Sequence, residues 1–166
     1  AYREWMPVSD ADWAEYRIGT LAALFRPEER LTARTRQPDL AEALSGRGDL
    51  GMALTRFRDE QWRDPTHTLM GPEQEAWLFS GFRRSAKATR WQVLAQQVNL
   101  GFEMMPAEAT TWLTPDSPAA LKAGIPVGLL AAHLGMPHNM DSWNGYPAAR
   151  ERLLQRYGRQ SMRSSS

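Results

Sequence analysis

The chain has 166 residues, 42% hydrophobic and 23% charged, a balance that predicts a globular domain rather than a disordered segment. Its 20 basic and 19 acidic side chains leave a net charge of +1, so charge gives no reason to expect nucleic acid or a membrane as partner. The absence of cysteine excludes disulfides, thiolate zinc sites and cysteine nucleophiles. No apolar run approaches the roughly 20 residues that span a bilayer, and residues 1–10 lack the features of a signal peptide.

The first half of the chain predicts a strand and two short helices. Residues 16–25 suit a strand that ends near Phe25, and Pro27 disfavours a helix running through this stretch. Residues 38–46 predict a short helix, because a proline and an aspartate suit its first turn and a glycine ends it. Residues 51–63 predict a second helix.

The strongest pattern predicts a helix over residues 72–87 followed by a buried strand over residues 91–98. A proline at the first helical position and glutamates in the first turn favour the start of this helix. Its side chains Trp77, Leu78 and Phe82 are expected to pack onto the strand. The strand has apolar residues on both faces, which is typical of a buried strand in an α/β sheet. The predicted fold class is α/β, as a mainly helical fragment with two or three strands.

The C-terminal third predicts two more helices. A loop over residues 101–116 precedes a helix that opens at Ser117 and is interrupted by Gly124 and Pro126. The last helix is expected to begin at Pro147, where proline suits the first helical position.

The end of the chain is expected to be polar and disordered. The last helix should fray after Tyr157, so the domain is predicted to span residues 1–158 and the tail residues 159–166. The tail has too few apolar side chains to offset the entropy of ordering it. Because residue 1 is not methionine, we expect the chain to be a piece of a longer protein.

Four segments in sequence resemble the PhoD-like alkaline phosphatases. They read "AYREWMPV", "TLMGPEQEAWL", "RWQVLAQQV" and "DSWNGYPAARERLL", and they follow the order of that family. The resemblance implies a metal-dependent phosphomonoesterase or phosphodiesterase with a metallophosphoesterase core. It also implies calcium and iron, or other divalent metals, in the full family domain, and a periplasmic or secreted location.

The chain departs from the family pattern at several positions. Asn144 stands where the family motif Trp-Asp-Gly-Tyr has its aspartate, and Arg3 stands where a tyrosine is common. Glu28, Glu29 and Arg30 occupy the place of an acidic residue, a threonine and an arginine. The family's metal-ligand motifs, Asp-Asp-His-Glu upstream and Gly-Asp-x-His downstream, do not occur. We therefore expect a central segment of the family domain.

The three histidines give no recognisable metal site. His133 and His138 are separated by a glycine and a proline, and His67 lies in a polar stretch. A two-metal phosphatase needs several carboxylate, imidazole or amide ligands that converge on both ions. We therefore predict no catalytic residue, no metal ligand and no bound cofactor within this chain.

Arg30 and Gln97 are candidates for substrate binding. Arg30 and Glu28 follow a predicted strand, and a guanidinium group can bind two phosphate oxygens at once. The alternative for this pair is an exposed turn held by salt bridges. Gln97 ends the predicted strand over residues 91–98, where an amide can orient a water molecule or the substrate. Its alternative role is a hydrogen bond to neighbouring backbone.

The turn before the last helix is the other candidate region. Tyr146 is a further candidate for substrate binding, and Asp141, Trp143 and Asn144 are predicted to support the wall of the cleft. The alternatives are a core position for the aromatic rings and a turn-capping role for Asp141.

Two functions follow from these observations. The first is part of a phosphatase acting on phosphate esters, incomplete as it stands. The second is a noncatalytic helical binding module derived from that family, which would use exposed apolar faces for a partner or for self-association.

Overall fold

The computed structural model describes residues 12–46 and 48–161, with side chains as far as Tyr157. The family-like segment at residues 1–8 lies outside the described residues. The regular elements are, in chain order, β1 (Ala14–Ile18), β2 (Ala22–Arg26), α1 (Leu40–Leu44), α2 (Leu50–Phe57), α3 (Gly71–Ser85), β3 (Trp91–Leu94), α4 (Ala119–His133) and α5 (Pro147–Ser161). The described part of the chain is thus mainly helical with three strands, which is the α/β class that the sequence predicts.

The sheet is mixed and has the strand order β1-β2-β3. β1 and β2 form an antiparallel hairpin with Tyr16 opposite Leu24, and β3 runs parallel to β2 with Val93 beside Leu24. The single strand predicted over residues 16–25 is wrong, because the chain turns at Gly19. The φ angle of Gly19 is +52°, a left-handed conformation that glycine adopts without the steric cost of a Cβ atom.

The described residues form two compact units. The first contains the residues up to Thr35, Thr68–Gln97 and the residues from Glu151 onward. The second contains Arg36–His67 and Val98–Arg150. The sheet and α3 belong to the first unit, and α1, α2 and α4 belong to the second.

The core of the first unit is built around Phe25 of β2. Its ring meets the Phe82 ring edge-on with the centroids 5.0 Å apart, and the Trp77 ring at 5.9 Å. Phe25, Leu78 and Phe82 are fully buried, whereas Trp77 is half-buried. Gly81 allows the close approach, since a Cβ atom there would meet the Phe25 ring. α3 therefore packs on β2, whereas the sequence prediction places it on the strand that follows it.

β3 is shorter and more exposed than the buried strand predicted over residues 91–98. It ends at Leu94, and the side chains of Trp91 and Val93 are 59% and 41% exposed. β3 is an edge strand of the described sheet, paired along one side only with β2. Apolar residues on both faces of a strand indicate burial only where a further layer covers the strand.

The core of the second unit joins α2, the turn after it and the end of α4. The predicted helices at residues 38–46 and 51–63 are confirmed as α1 and α2, and their first turns are capped by Asp39 and Asp49. A π-helical turn, Arg58–Trp62, continues α2. The buried apolar cluster consists of Leu54, Phe57, Trp62, Ala131, Met136 and Met140.

The last two helices are longer than predicted. α4 runs without interruption, although Pro126 lies inside it. Pro126 is exposed, so the helix loses one N–H···O bond there without also burying unpaired backbone. α5 begins at Pro147 as predicted, and it continues to Ser161 rather than fraying after Tyr157. The predicted tail beyond residue 161 lies outside the described residues. Within the described ranges, no helix combines the length and the hydropathy needed to cross a bilayer.

Candidate functional site

The loop that follows β2, residues 28–32, is organised around the carboxylate of Glu28. Glu28 Oε1 accepts hydrogen bonds from the backbone N–H groups of Arg30 and Leu31 at 2.8 and 2.9 Å. Glu28 Oε2 accepts two more from Thr32, from its N–H at 2.9 Å and its hydroxyl at 2.8 Å. We call residues 28–32 the Glu28 loop. The Glu28 side chain is buried and binds the backbone of its own loop, whereas Arg30, Leu31 and Thr32 are exposed.

Two opposing effects act on the pKa of Glu28. Burial by itself raises the pKa of this carboxyl group, because it disfavours the charged form. The hydrogen bonds from Arg30, Thr32 and Leu31 favour the charged form and outweigh burial, so the pKa of Glu28 lies below its ordinary value. The carboxylate is therefore ionised at neutral pH and keeps the loop closed around it.

Gln74 of α3 anchors the same loop from inside the first unit. Its Oε1 accepts from Glu28 N–H at 2.6 Å, and its Nε2 donates to Glu28 C=O at 2.8 Å. Gln74 is fully buried and shares one helical face with Leu78 and Phe82. The sequence analysis missed this residue. The available signal was a glutamine in an otherwise apolar stripe at i, i+4 and i+8 spacing.

Gln97 lies beside the Glu28 loop. Its Oε1 accepts from Glu29 N–H at 3.1 Å, and its own N–H donates to Glu29 Oε2 at 3.1 Å. Glu29 is fully buried, whereas Gln97 and Arg30 are exposed. The structure thus brings Glu28, Arg30 and Gln97 together at the carboxyl ends of two parallel strands, β2 and β3, which is where α/β sheets usually bind ligands.

The second candidate region is the turn of residues 142–146, which we call the Trp143 turn. Its centre is the 3-10 segment Trp143–Gly145, and the Ser142 hydroxyl caps it by accepting from Asn144 N–H at 3.2 Å. Trp143, Asn144 and Tyr146 are fully buried. The burial of both rings favours the core role weighed from the sequence, and it places Tyr146 among packed side chains rather than on an exposed surface.

The Trp143 turn is tied to the rest of the second unit by backbone contacts. The indole Nε1–H of Trp62 donates to Asn144 C=O at 2.7 Å. A Cβ atom at Gly145 would collide with the carbonyl of Met140, so no larger residue fits there. Asp141 is half-buried, and its backbone N–H donates to Asn139 Oδ1 at 2.9 Å. These contacts describe a tightly packed structural turn.

The described residues do not fit a two-metal centre. In the ranges 12–46 and 48–161, no three acidic or imidazole side chains lie close enough together to hold an ion. His67 Nε2 lies 3.9 Å from Asp64 Oδ2. His133 and His138 are exposed.

Three comparisons with known proteins agree. The profile of the family described as PhoD-like phosphatase matches residues 1–165. Alkaline phosphatase D of Bacillus subtilis (strain 168) is 33% identical over 95 residues, which are 57% of this chain and 12% of that protein. A solved structure described as "Structure of PhoD" has a TM-score of 0.57 at 25% identity, covering 96% of this chain and 24% of the other.

The coverage of these relatives is unequal. This chain spans 12% of the curated relative and 24% of the solved structure, although almost all of it takes part in the structural match. The family profile matches from residue 1 to residue 165. The chain therefore belongs to the PhoD-like phosphatase family.

Proposed function

We propose that this chain is part of a metal-dependent phosphatase that hydrolyses phosphate mono- or diesters, and that the Glu28 loop binds the phosphate group. The observation that carries the proposal is the loop directly after β2. Its backbone N–H groups donate to the Glu28 carboxylate, and the Arg30 side chain is exposed. Membership of the PhoD-like phosphatase family supports the reaction class.

Arg30 is the group we propose for contact with phosphate. The N–H groups of Arg30, Leu31 and Thr32 already donate to Glu28, so they do not serve a second anion. The guanidinium group carries a permanent positive charge and donates in a fork that matches two phosphate oxygens. Charge of this kind offsets the negative charge on the phosphoryl oxygens during transfer.

Gln97 has a supporting role in this proposal. Its Oε1 is occupied by Glu29 N–H, so the amide fixes the backbone next to Arg30 while Nε2 is the atom suited to donate to a ligand. Tyr146, Trp143, Asn144 and Asp141 are proposed as structural support for a cleft wall. The metal ions, calcium and iron by family resemblance, would need ligands other than those of the described residues. A periplasmic or secreted location also belongs to the proposal.

Phosphate binding tests the proposed loop directly. Inorganic phosphate and p-nitrophenyl phosphate would be titrated into the ¹⁵N-labelled chain while the amide signals of residues 28–32 are followed. We expect saturable shifts that Arg30→Ala abolishes and that Arg30→Lys, which keeps the charge but loses the fork, weakens. Arg83→Ala is the matched control, because Arg83 is an exposed arginine near the end of α3. Equal binding by the Arg30→Ala and Arg83→Ala variants would contradict the proposal.

The isolated chain is expected to bind phosphate without hydrolysing its esters. Bound metal ions generate the nucleophilic hydroxide in this class of chemistry, and neither Arg30 nor Gln97 lowers the pKa of a water molecule toward neutrality. Turnover of p-nitrophenyl phosphate and of its bis-ester would be measured with calcium, iron, zinc and manganese. Metal-dependent turnover lost in Arg30→Ala would show that a complete site forms within this chain.

A cavity in the second unit favours the alternative function, a noncatalytic binding module. It has a volume of about 570 Å³ and lies between α1 and α4. Its lining is almost entirely apolar and includes Leu40, Leu44, Met105, Leu121 and Ile125. Analytical ultracentrifugation over a range of concentrations tests self-association through this surface. A dimer that Leu121→Glu dissociates would support the binding-module function. A chain that stays monomeric at all concentrations would favour the phosphatase function.

A further inference from the structure

The Trp143 turn and the start of α5 hold the loop that follows β3. Three consecutive carbonyl groups in this loop accept hydrogen bonds from the turn and the helix. The pairs are Asn99 C=O with Trp143 N–H at 3.2 Å, Leu100 C=O with Arg150 Nε–H at 2.9 Å, and Gly101 C=O with Asn144 Nδ2–H at 2.9 Å. We call residues 99–101 the carbonyl loop. All six residues belong to the second unit.

Of these three hydrogen bonds, the one to Gly101 C=O is donated by the Asn144 side chain, which belongs to the turn and is fully buried. Its backbone N–H and C=O bind Ser142 and Trp62, and its Nδ2 binds Gly101, while Oδ1 is buried without a partner among the described residues. The reversed amide orientation would place Oδ1 against the Gly101 carbonyl oxygen, two acceptors facing each other. The contact therefore depends on a donor at this position.

We propose that Asn144 is a positioning residue for the carbonyl loop, and that position 144 requires a hydrogen-bond donor. A carboxyl group of the same shape donates to Gly101 C=O only while it carries its proton. Once ionised, it faces a carbonyl oxygen inside the protein with no donor to offer, and a buried unpaired charge is strongly unfavourable. The Asn144 amide donates at every pH, so the contact in this chain does not depend on pH.

Asn144→Asp and Asn139→Asp form a matched pair of variants. Asn139 uses its Oδ1 as an acceptor for Asp141 N–H, a role that a carboxylate keeps. Asn144 uses its Nδ2 as a donor, a role that an ionised carboxylate loses. The two changes introduce the same charge five residues apart, but Asn144 is fully buried and Asn139 is half-buried. Asn144→Ala therefore separates the loss of the donor from the burial of a charge.

The reporters are the Trp62 indole N–H and the Trp143 amide N–H, whose hydrogen exchange is measured by NMR from pH 5 to pH 8. Burial raises the pKa of the introduced carboxyl group, so its stabilising protonated form is present at low pH and is lost as pH rises through that pKa. We expect protection in Asn144→Asp to be near wild type at pH 5 and at least about tenfold lower at pH 8, since tenfold corresponds to one hydrogen bond to a buried group. Asn139→Asp should match the wild type throughout.

Other ionisable groups lie on the segments packed against the Trp143 turn. They are Glu103 beyond the carbonyl loop, Arg150 on α5, Arg63 and His67 after the π-helical turn, and Asp141 before the Trp143 turn. These groups are common to the wild type and both variants, so the comparison with Asn139→Asp removes their effects.

Asn144→Ala covers the case in which Asn144→Asp does not fold at neutral pH. It removes the donor without adding a charge, so it should lose protection equally at pH 5 and pH 8. If Asn144→Asp is unfolded at neutral pH, circular dichroism should show refolding on acidification. Wild-type protection in Asn144→Ala, or a loss in Asn144→Asp that does not change with pH, would overturn the proposal. No reporter involves phosphate, so the result is independent of the phosphate-binding test.

Discussion

Replacing Glu28 by glutamine tests whether the Glu28 loop is held by a carboxylate. The change preserves the size and shape of the side chain and removes its charge and one acceptor atom. In the wild type, one carboxylate oxygen accepts from Arg30 and Leu31 and the other accepts twice from Thr32. Glutamine keeps one oxygen, and its amide nitrogen points two hydrogens toward groups that are themselves donors.

The magnitude follows from the hydrogen bonds lost. At least two bonds to a charged acceptor disappear, and each contributes about 1.5–3 kcal/mol to stability. The donors lie in a partly exposed loop where water compensates in part, so we expect a loss of roughly 2–4 kcal/mol in the free energy of unfolding. For a chain of this size each kcal/mol lowers the melting temperature by about 2–4 °C, so the variant should melt roughly 4–16 °C below the wild type.

Thermal and urea unfolding measure this loss, and Glu42→Gln is the matched control. Glu42 carries the same change in an exposed ion pair with Arg36, whose charged groups lie 2.6 Å apart. Exposed pairs of this kind contribute about 0–1 kcal/mol, so the control should melt close to the wild type. Equal stability of the two variants would refute the idea that Glu28 organises the loop.

The pH dependence gives an independent check. The pKa of Glu28 is lower in the folded protein than in the unfolded chain, so its contribution is present above the unfolded pKa of about 4.3 and is lost as pH falls through the folded pKa. The stability difference between the wild type and Glu28→Gln should therefore be constant near neutral pH and shrink below about pH 4. If this stability difference persisted unchanged to low pH, the shape of the Glu28 side chain rather than its charge would account for it.

Further substitutions test the two cores. Leu78→Ala should lower the free energy of unfolding by about 2–5 kcal/mol, because Leu78 is fully buried. Trp77→Ala should lower the free energy of unfolding by less, about 1.5–3 kcal/mol, because Trp77 is half-buried. If urea unfolding showed a larger loss for Trp77→Ala than for Leu78→Ala, the contribution of Trp77 to packing would be larger than its exposure indicates. Gly145→Ala should cost about 3 kcal/mol or more through its collision with the Met140 carbonyl. Gly124→Ala meets no neighbouring atom within α4 and should stabilise by about 0.5–1 kcal/mol, so a destabilised Gly124→Ala would argue against the continuous helix.

The helices were largely predictable because their signals are local. Asp39 and Asp49 cap α1 and α2, and Pro147 begins α5, each within a few residues of the backbone groups it affects. The strands were less predictable from the sequence. A glycine that turns the chain between β1 and β2 looks the same in sequence as one within a strand, and the burial of β3 depends on layers that its own residues do not specify.

The candidate site was also predictable only in part. The sequence placed Glu28, Arg30 and Gln97 near the ends of strands, and the structure brings them together. It did not indicate that Glu28 points back into its own loop, or that Gln74 anchors that loop from 46 residues away. Which donor a buried acceptor meets is set by the packing of distant segments, and no local pattern encodes that choice.

By itself, the sequence determined the class of the fold, the start of each long helix and the PhoD-like family, because periodicity, capping residues and ordered motifs all act within short windows. Only the tertiary structure decided the roles of the singled-out residues. Tyr146 and Trp143 are core residues, and Asn144 is a donor to a loop 43 residues away. Burial and hydrogen-bond partnership are properties of neighbours in space, and the same tryptophan beside the same asparagine would be a surface turn if Trp62 and Gly101 were not folded against it.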